Sequence, residues 1–141
     1  MIDSNILKYS KLEPLNVSRE TFPELEEFRS LILEKNKEIN LISANSETIS
    51  RERHIIDSAQ IIDFIDKNDI NVCTDLGSGA GLPGIVIAIL MKPKRPHFKV
   101  ILYEKSYHKS NFLKGISKKF NLNTEINQKI FLIKKIYKQT L

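Results

Sequence analysis

The chain has 141 residues, of which 41% are hydrophobic and 28% charged, and a formal net charge of +5. This length suits one domain with a sizeable core, and no apolar run is long enough for a transmembrane helix. A single cysteine and three histidines without ligand spacing exclude a disulfide framework and do not indicate a metal site. We therefore expect a reduced, cytoplasmic protein without a membrane or metal partner.

The charge is divided unevenly along the chain. Residues 92–141 carry 13 Lys or Arg and two acids, a net +11, whereas residues 1–91 carry nine basic and 15 acidic residues, a net −6. A basic half of this density is typical of proteins that bind a polyanion such as RNA or DNA. The alternative is that the lysines only cover solvated faces.

The first predicted helix lies in TFPELEEFRSLILEKNKEIN. Thr21 and Glu24 form the pattern of a capping box, and Pro23 suits the first turn of a helix. Apolar residues recur there every three or four positions and define one buried face. They are Leu25, Phe28, Ile32 and Ile39.

The next segment, NLISANSET, interrupts this period with Asn and Ser and predicts a loop. ETISRERHIIDSAQIIDFID then predicts a second helix. Its buried face comprises most or all of Ile55, Ile56, Ala59, Ile62 and Phe64.

The period changes after residue 68. NVCTDL and HFKVILYE predict strands, the second continuous enough in apolar residues to be buried on both faces, and TEINQKIFLI predicts a third. PGIVIAILMK and SYHKSNFLKGISKKFN predict the intervening helices. This alternation predicts an α/β fold with parallel strands and right-handed crossovers. We expect a helical segment over residues 1–68, packed on an α/β core over residues 69–141.

Four of the five glycines lie in TDLGSGAGLPG, between the first strand and its helix. The spacing from Gly79 to Gly84 matches the dinucleotide fingerprint GxGxxG, which is a weak signal alone. The same stretch also matches a methyltransferase pattern. Asp75 precedes glycines at alternate positions from Gly77 to Gly81, and Glu104 ends the next strand. A tight turn without a ligand is a third alternative.

The position of Asp75 favours S-adenosylmethionine over a dinucleotide. A carboxylate beside a helix N-terminus would repel a pyrophosphate. S-adenosylmethionine has no phosphate and carries a sulfonium and an ammonium group, which Asp75 would help to hold. We expect Glu104 to accept hydrogen bonds from the ribose hydroxyls.

Four segments together carry a family resemblance: NLIS, RERHIIDS, DLGSGAGLPGIVIAI and LYEKSYHKSNFL. In this order and spacing, from about Leu25 to about Asn127, they resemble the ribosomal RNA small subunit methyltransferase G family, also called glucose-inhibited division protein B. The resemblance implies a Rossmann-like class I S-adenosylmethionine-dependent methyltransferase fold with N-terminal helices. It also implies methylation of N7 of a guanine in 16S ribosomal RNA, with that RNA or the small ribosomal subunit as partner.

The resemblance and the glycine turn together predict the cofactor contacts. They are Asp75, Gly77, Ser78, Gly79, Gly81, Leu82, Glu104, Ile130 and Phe131. Gly77 and Leu82 match cofactor-contacting loop positions of the family, and Glu104 matches its ribose acid. Ile130 and Phe131 stand about where the family has an apolar–acidic pair beside the adenine, and Phe131 departs from that pair. No catalytic residue is expected, because guanine N7 has no proton to remove.

Two polar sets outside the turn are candidates for RNA contact. Lys105 and Lys109 are predicted to face RNA phosphates, or else to form the polar side of an amphipathic helix. In RERHIIDS, Arg53 and Asp57 have i,i+4 spacing, with His54 between them. Two alternatives stay open for this polar edge. It faces the cofactor mouth or the RNA, or it is a helix surface with one salt bridge and a solvated histidine.

The resemblance also predicts an incomplete sheet. Family members continue through a fourth strand with a Ser/Thr-Arg-Ala-like segment, which the lysine-rich end of this chain lacks. An inactive truncated copy that retains RNA or cofactor binding is therefore the alternative to an active enzyme. An NAD-dependent oxidoreductase is a further alternative, and the chain shows no constellation for hydride transfer.

Overall fold

The computed structural model describes residues 4–129, so Ile130 and Phe131 lie outside the described residues. Residues 4–67 form a series of helices joined by turns and loops. The α-helices are α1 (Ser4–Lys8), α2 (Phe22–Lys35), α3 (Asp57–Ala59) and α4 (Ile61–Lys67). Three 3-10 helices, Ser10–Leu15, Arg19–Thr21 and Ala44–Ile49, and a π-helix, Arg51–Ile56, lie between them.

Helix α2 confirms the predicted apolar face but not the predicted cap. Leu25, Phe28 and Ile32 are buried, and Pro23 lies in the first turn. The Thr21 hydroxyl donates to the carbonyl of Ser18 and does not accept from a backbone N–H of α2. The predicted capping box is therefore wrong. The helix ends at Lys35, so Ile39 lies beyond it and is half-buried.

The second predicted helix is divided into three helical segments of different winding. The predicted loop before it also contains the 3-10 helix Ala44–Ile49. Ile55, Ile56, Ala59 and Ile62 are buried as predicted. Phe64, which is 61% exposed, is the exception among the five, so the prediction is confirmed for most of this face. Ile65 is buried instead. It follows Ile62 by three residues and so lies on the same face of α4, whereas Phe64 follows Ile62 by two residues and lies on another face.

A half-buried polar cluster joins the π-helix to α2. The Glu26 carboxylate accepts hydrogen bonds from the Tyr9 hydroxyl at 2.7 Å and from the guanidinium groups of Arg29 and Arg51. Burial alone would raise the pKa of Glu26, but the hydrogen bonds from Arg29, Arg51 and Tyr9 outweigh it and hold that pKa well below its ordinary value. Arg51 also lies 5.8 Å from the centre of the Tyr9 ring. The cluster therefore holds the start of the π-helix in place.

The described sheet is parallel, as predicted. Its strands β1 (Val72–Leu76), β2 (Lys99–Tyr103) and β3 (Thr124–Asn127) lie in the order β1-β2-β3. Helices α5 (Gly84–Lys94) and α6 (Tyr107–Lys119) connect them. The open parallel sheet with its crossover helices confirms the α/β, Rossmann-like prediction.

Helix α5 is the centre of the core. Its residues from Gly84 to Met91 are all buried, because α2, α3 and α4 contact it and it also packs on β1 and β2. This double contact explains why its sequence is apolar on all sides. The division into residues 1–68 and 69–141 stays a prediction. Within residues 4–129, no helix has the length and hydropathy needed to cross a membrane.

One face of the described sheet is covered more fully than the other. Val100 and Leu102 of β2 are fully buried, whereas Ile101, between them, is only half-buried. The prediction that β2 is buried on both faces is therefore wrong. Val72 and Leu76 of β1 share the face of Ile101 and are 51% and 45% exposed, respectively.

Candidate cofactor site

The glycine turn is attached to the neighbouring strand by its backbone. The N–H groups of Gly77 and Ser78 both donate to the carbonyl of Tyr103, at 2.8 and 3.0 Å. Gly77, Gly79 and Gly81 have φ values of +74°, +54° and +92°, a region that residues with a side chain rarely adopt. The turn therefore lies at the shared carboxyl end of β1 and β2.

Two of the four glycines are required by packing. A Cβ atom on Gly81 would lie 2.5 Å from Cγ1 of Ile85, and one on Gly84 would lie 2.7 Å from Oδ2 of Asp75. Gly77 and Gly79 differ, because no heavy atom outside the adjoining residues lies within 4 Å of the position their Cβ atoms would take. The open side of the turn is thus at Gly77 and Gly79, where a ligand can approach the backbone.

Asp75 lies at the N-terminus of α5. Its Oδ2 accepts a hydrogen bond from the N–H of Gly84 at 3.0 Å. Burial raises the pKa of Asp75 above its ordinary value, although the hydrogen bond from Gly84 acts against the shift. A carboxylate therefore already lies where a dinucleotide site would place its pyrophosphate, in agreement with the sequence-based argument against a dinucleotide.

Glu104 directly follows β2 and is buried. Its Oε1 accepts from the N–H of Gly79 at 2.9 Å, and its Oε2 accepts from the N–H of Ser106 at 2.8 Å. A carboxylate has about four acceptor positions, so each oxygen keeps a lone pair for another donor. Both hydrogen bonds fix the orientation of the carboxylate.

A cavity of about 190 Å³ adjoins this carboxylate. It lies at the carboxyl ends of all three described strands, where open parallel sheets bind their ligands. Its lining residues are Gly77, Tyr103, Glu104, Lys105, Asn127, Gln128 and Lys129. We call it the strand-end cavity. A larger cavity of about 530 Å³ lies between α2 and α6 and contains none of the sequence-predicted cofactor residues.

The other predicted cofactor residues support the turn. The Ser78 hydroxyl is buried and donates to the carbonyl of Asp75 at 3.1 Å. Gly81 is buried beside Ile85 and Leu113, and Leu82 packs partly against the core. None of these three residues lines the strand-end cavity, and a cofactor contact by any of them stays a prediction.

Sequence reasoning missed four residues of the strand-end cavity, namely Tyr103, Asn127, Gln128 and Lys129. Tyr103 ends β2, Asn127 ends β3, and Gln128 follows and donates from its amide to the carbonyl of Lys105 at 3.1 Å. A signal was present, because residues at the ends of neighbouring parallel strands meet at one edge. The sequence pattern does not define the last residue of each strand, so it does not identify which residues meet at that edge.

The two lysines predicted to contact RNA differ in position. Lys105 is exposed, lines the strand-end cavity and has no acidic partner within residues 4–129. Lys109 is half-buried in the first turn of α6, and its N–H donates to the Ser106 hydroxyl at 3.3 Å. Lys105 is therefore the better placed of the two beside the candidate cofactor site.

The RERHIIDS edge is solvated at Arg53 and Asp57, which are both exposed, but within residues 4–129 it lacks the predicted salt bridge, and His54 is half-buried. Arg53 and Asp57 form no ion pair within the described range, because the π-helix changes the spacing that brings i and i+4 together. Nε2 of His54 lies 2.8 Å from the Ser46 hydroxyl oxygen. Burial, assisted by Arg53, lowers the pKa of His54 below its ordinary value, against the effect of Asp57. In the part of the chain that the structure describes, no group of acids, histidines or cysteines is arranged to hold a metal ion.

Residues 21–136 match a family model described as rRNA small subunit methyltransferase G. The matched range contains the glycine turn, Glu104 and the RERHIIDS segment. Most of the chain, including α2, α5, α6 and the three strands, therefore lies within the match.

Several curated proteins named ribosomal RNA small subunit methyltransferase G are similar to this chain. That of Pelagibacter ubique is 50% identical over 137 residues, covering 94% of this chain and 63% of the relative. That of Rickettsia akari is 43% identical over 117 residues, covering 82% and 58%, respectively. That of Ruegeria pomeroyi is 40% identical over 112 residues, covering 79% and 54%. The chain thus spans less than two thirds of the length of these relatives.

Proposed function

Because the chain belongs to the ribosomal RNA small subunit methyltransferase G family, we propose that it transfers a methyl group from S-adenosylmethionine to N7 of a guanine in 16S ribosomal RNA. The proposed partner is that RNA or the small ribosomal subunit, and a cytoplasmic location is proposed with it. The observation that carries the proposal is Glu104, held by two backbone N–H groups at the edge of the strand-end cavity.

The strand-end cavity has the chemistry that the ribose of S-adenosylmethionine requires. Glu104 keeps lone pairs for two hydroxyl donors, and the absence of a side chain on Gly77 leaves the adjoining backbone open. Asn127 supplies a further amide at the same edge. We propose Gly77, Gly79 and Glu104 as the principal cofactor contacts, with Ile130 and Phe131 contacting the adenine.

Asp75 acts on the cofactor through charge. Its carboxylate is fixed by Gly84 beside the glycine turn, and it favours a positively charged ligand over an anionic one. We propose that it selects the end of S-adenosylmethionine that carries the sulfonium and the ammonium. Ser78, Gly81 and Leu82 maintain the shape of the turn that this contact requires.

The proposed chemistry requires orientation and no proton transfer. When bound, S-adenosylmethionine supplies a methyl group already activated by its sulfonium. Guanine N7 is a lone pair, so the protein has to hold it in line with that methyl group, at about 3 Å, without a general base. Because N7 lies on the major-groove edge, the base has to be exposed from the RNA. Lys105, together with Lys109, is the proposed contact to the neighbouring phosphates.

Isothermal titration with S-adenosylhomocysteine tests the cofactor site. We expect the wild type to bind and Glu104→Gln to bind more than about tenfold more weakly, since a charged acceptor is lost. Glu125→Gln is the matched control, because Glu125 is an exposed acid of β3 paired with Lys99 at 3.1 Å. Equal affinity of the two variants, or binding of NAD instead, would overturn the proposed site.

Methyl transfer to 16S ribosomal RNA from cells that lack this modification tests the substrate. We expect labelled methyl to appear on guanine N7. Cofactor binding without any transfer would instead support the alternative of a chain that binds its ligands without catalysis.

A further inference from the structure

A further cavity, of about 260 Å³, lies between the 3-10 helix Ala44–Ile49 and the π-helix Arg51–Ile56. Its lining residues are Ser43, Asn45, Ser46, Ile49, Arg53 and His54. We call it the His54 cleft. It shares no lining residue with the strand-end cavity, so the proposed cofactor site does not account for it.

Hydrogen bonds inside the His54 cleft define which groups remain for a ligand. The Ser46 hydroxyl donates to the carbonyl of Ser43 at 2.8 Å. The Ser43 hydroxyl in turn donates to the Ser46 hydroxyl oxygen at 3.0 Å, and Nε2 of His54 lies 2.8 Å from the same oxygen. With the Ser46 proton directed at the Ser43 carbonyl, Nε2 is assigned as the donor. In a neutral imidazole this leaves Nδ1 as an acceptor, and burial together with Arg53 lowers the pKa of His54 and so favours the neutral ring.

The charge of the His54 cleft is positive. Arg53 is exposed and has no acidic partner within residues 4–129, and none of the lining residues is an acid. The nearby Glu47 carboxylate accepts from the Asn36 amide at 2.6 Å and is thus engaged outside the cleft. Asp57 lies close enough to His54 to favour its protonated form, but it does not line the cleft. An anionic ligand is therefore favoured.

The cleft also has an apolar side. Ile49 is 48% exposed and lies beside the polar groups. A free guanidinium, an imidazole acceptor, an amide and an exposed apolar side chain match the phosphate, the 2′-hydroxyl and the ring face of a nucleotide. An acidic peptide would be expected to contact a second cationic residue, and a metal ion would be expected to contact an acid. Neither is among the lining residues of the cleft.

We propose that the His54 cleft binds one nucleotide of single-stranded RNA, with its phosphate at Arg53 and its nucleoside against Ile49. The inference rests on the proposed function in one respect, that RNA is the substrate. It adds a contact away from the strand-end cavity, on the helical side of the molecule, and explains why an exposed arginine, a half-buried histidine and an exposed isoleucine lie together there.

Fluorescence anisotropy with a labelled single-stranded RNA from 16S ribosomal RNA tests the cleft. We expect Arg53→Gln to weaken binding about five- to tenfold and to reduce the slope of log affinity against log salt by about one. Arg19→Gln is the matched control, because Arg19 is also an exposed arginine but pairs with Glu13 at 2.8 Å. It should change affinity less than about twofold, as a surface ion pair contributes little.

A second variant separates the apolar contact from the charge. Ile49→Ser should weaken RNA binding about threefold without changing the salt slope, because it removes apolar area and no charge. Ile49 is largely exposed, so the substitution leaves the core intact. Equal RNA affinities for Arg53→Gln and Arg19→Gln would overturn the proposal, as would binding of inorganic phosphate at Arg53 with no change in RNA affinity.

Titration of the same variants with S-adenosylhomocysteine distinguishes the two proposals. If wild type binds this compound and Arg53→Gln still binds RNA normally, the cleft proposal fails while the cofactor proposal stands. If no variant binds it but Arg53→Gln loses RNA affinity, the cofactor proposal fails and the cleft proposal stands.

Discussion

The carboxylate of Glu104 and the backbone N–H of Gly79 are joined by a hydrogen bond of 2.9 Å across 25 positions of the sequence. This bond links the end of β2 to the turn that follows β1. Glu104 therefore has two roles, as a support of the glycine turn and as the proposed acceptor for a ribose. Any test of the second role has to separate it from the first.

The glycines of the turn are expected to respond differently to alanine. Gly81→Ala should cost about 3 kcal/mol or more, because it combines a positive φ with a Cβ 2.5 Å from Ile85. Gly77→Ala should cost about 1–2 kcal/mol, since its φ is positive but its surroundings are open. Urea unfolding followed by circular dichroism measures both changes in the free energy of unfolding.

Gly115→Ala provides the control for this series. Gly115 lies within α6, is exposed, and no atom lies within 4 Å of its Cβ position. The substitution should stabilise the protein by about 0.5–1 kcal/mol through helix propensity. A destabilisation at Gly115 as large as at Gly81 would contradict the assignment of Gly81 to close packing.

Asp75 is expected to act on stability mainly as a hydrogen-bond acceptor for α5. Asp75→Ala should lower the free energy of unfolding by about 1 kcal/mol, because the N–H of Gly84 loses its partner. Asp75→Asn keeps an acceptor oxygen and should therefore lower the free energy of unfolding by less. Thermal unfolding at neutral pH compares the stability of the two variants. Equal losses would contradict a stabilising role for the hydrogen bond to Gly84.

The raised pKa of Asp75 also determines how its contribution to the free energy of unfolding changes with pH. The folded protein binds this proton more readily than the unfolded chain does, since burial disfavours the charged carboxylate. Its contribution to stability is therefore fully present below the ordinary carboxyl pKa and is lost as the pH rises through the raised value. Asp75→Asn should remove this part of the pH dependence, and an unchanged slope would contradict the burial of the carboxyl group.

Glu26 is expected to contribute more to stability than any exposed acid. Glu26→Ala leaves Arg29, Arg51 and the Tyr9 hydroxyl without their shared partner and should cost about 3 kcal/mol. The matched exposed acid is Glu38, which pairs with Lys35, and its replacement by alanine should cost far less than that of Glu26. Denaturant unfolding measures both values, and similar losses at the two positions would contradict the role of the cluster.

The pH dependence at Glu26 has the opposite sign to that at Asp75. The pKa of Glu26 is lowered in the folded protein, so its contribution is present above the ordinary carboxyl pKa and is lost as the pH falls through the folded value. Acidification should therefore destabilise the wild type more than Glu26→Gln. A steeper acid-induced loss in the variant would contradict this sign.

Much of the candidate cofactor site was predictable from the sequence. The apolar runs before Gly77 and Glu104 predict neighbouring parallel strands, and that topology brings the ends of the two strands together. The sequence pattern does not show which glycines are required by packing and which leave room for a ligand. Only the structure shows that Gly81 and Gly84 avoid contacts with Ile85 and Asp75, whereas Gly77 and Gly79 face open space.

The helical half was harder to predict for two physical reasons. A π-helix has no distinctive periodicity over six residues, so RERHII reads as ordinary α-helix and the separation of Arg53 from Asp57 is missed. The choice between Phe64 and Ile65 depends on which side of α4 packs on α5, which is a tertiary contact. The capping box failed similarly, because the 3-10 turn Arg19–Thr21 uses the Thr21 hydroxyl for its own carbonyl contact.

The most direct measurement of the central claim is a titration cycle between Glu104 and the ribose. S-adenosylhomocysteine and its 2′-deoxyribose analogue would each be titrated into wild type, Glu104→Gln and Glu125→Gln. If Glu104 binds the ribose, the wild type and Glu125→Gln should prefer the hydroxylated ligand by about tenfold, and Glu104→Gln should lose most of that preference. An undiminished preference in Glu104→Gln would show that this carboxylate only supports the turn and would contradict the proposed cofactor site.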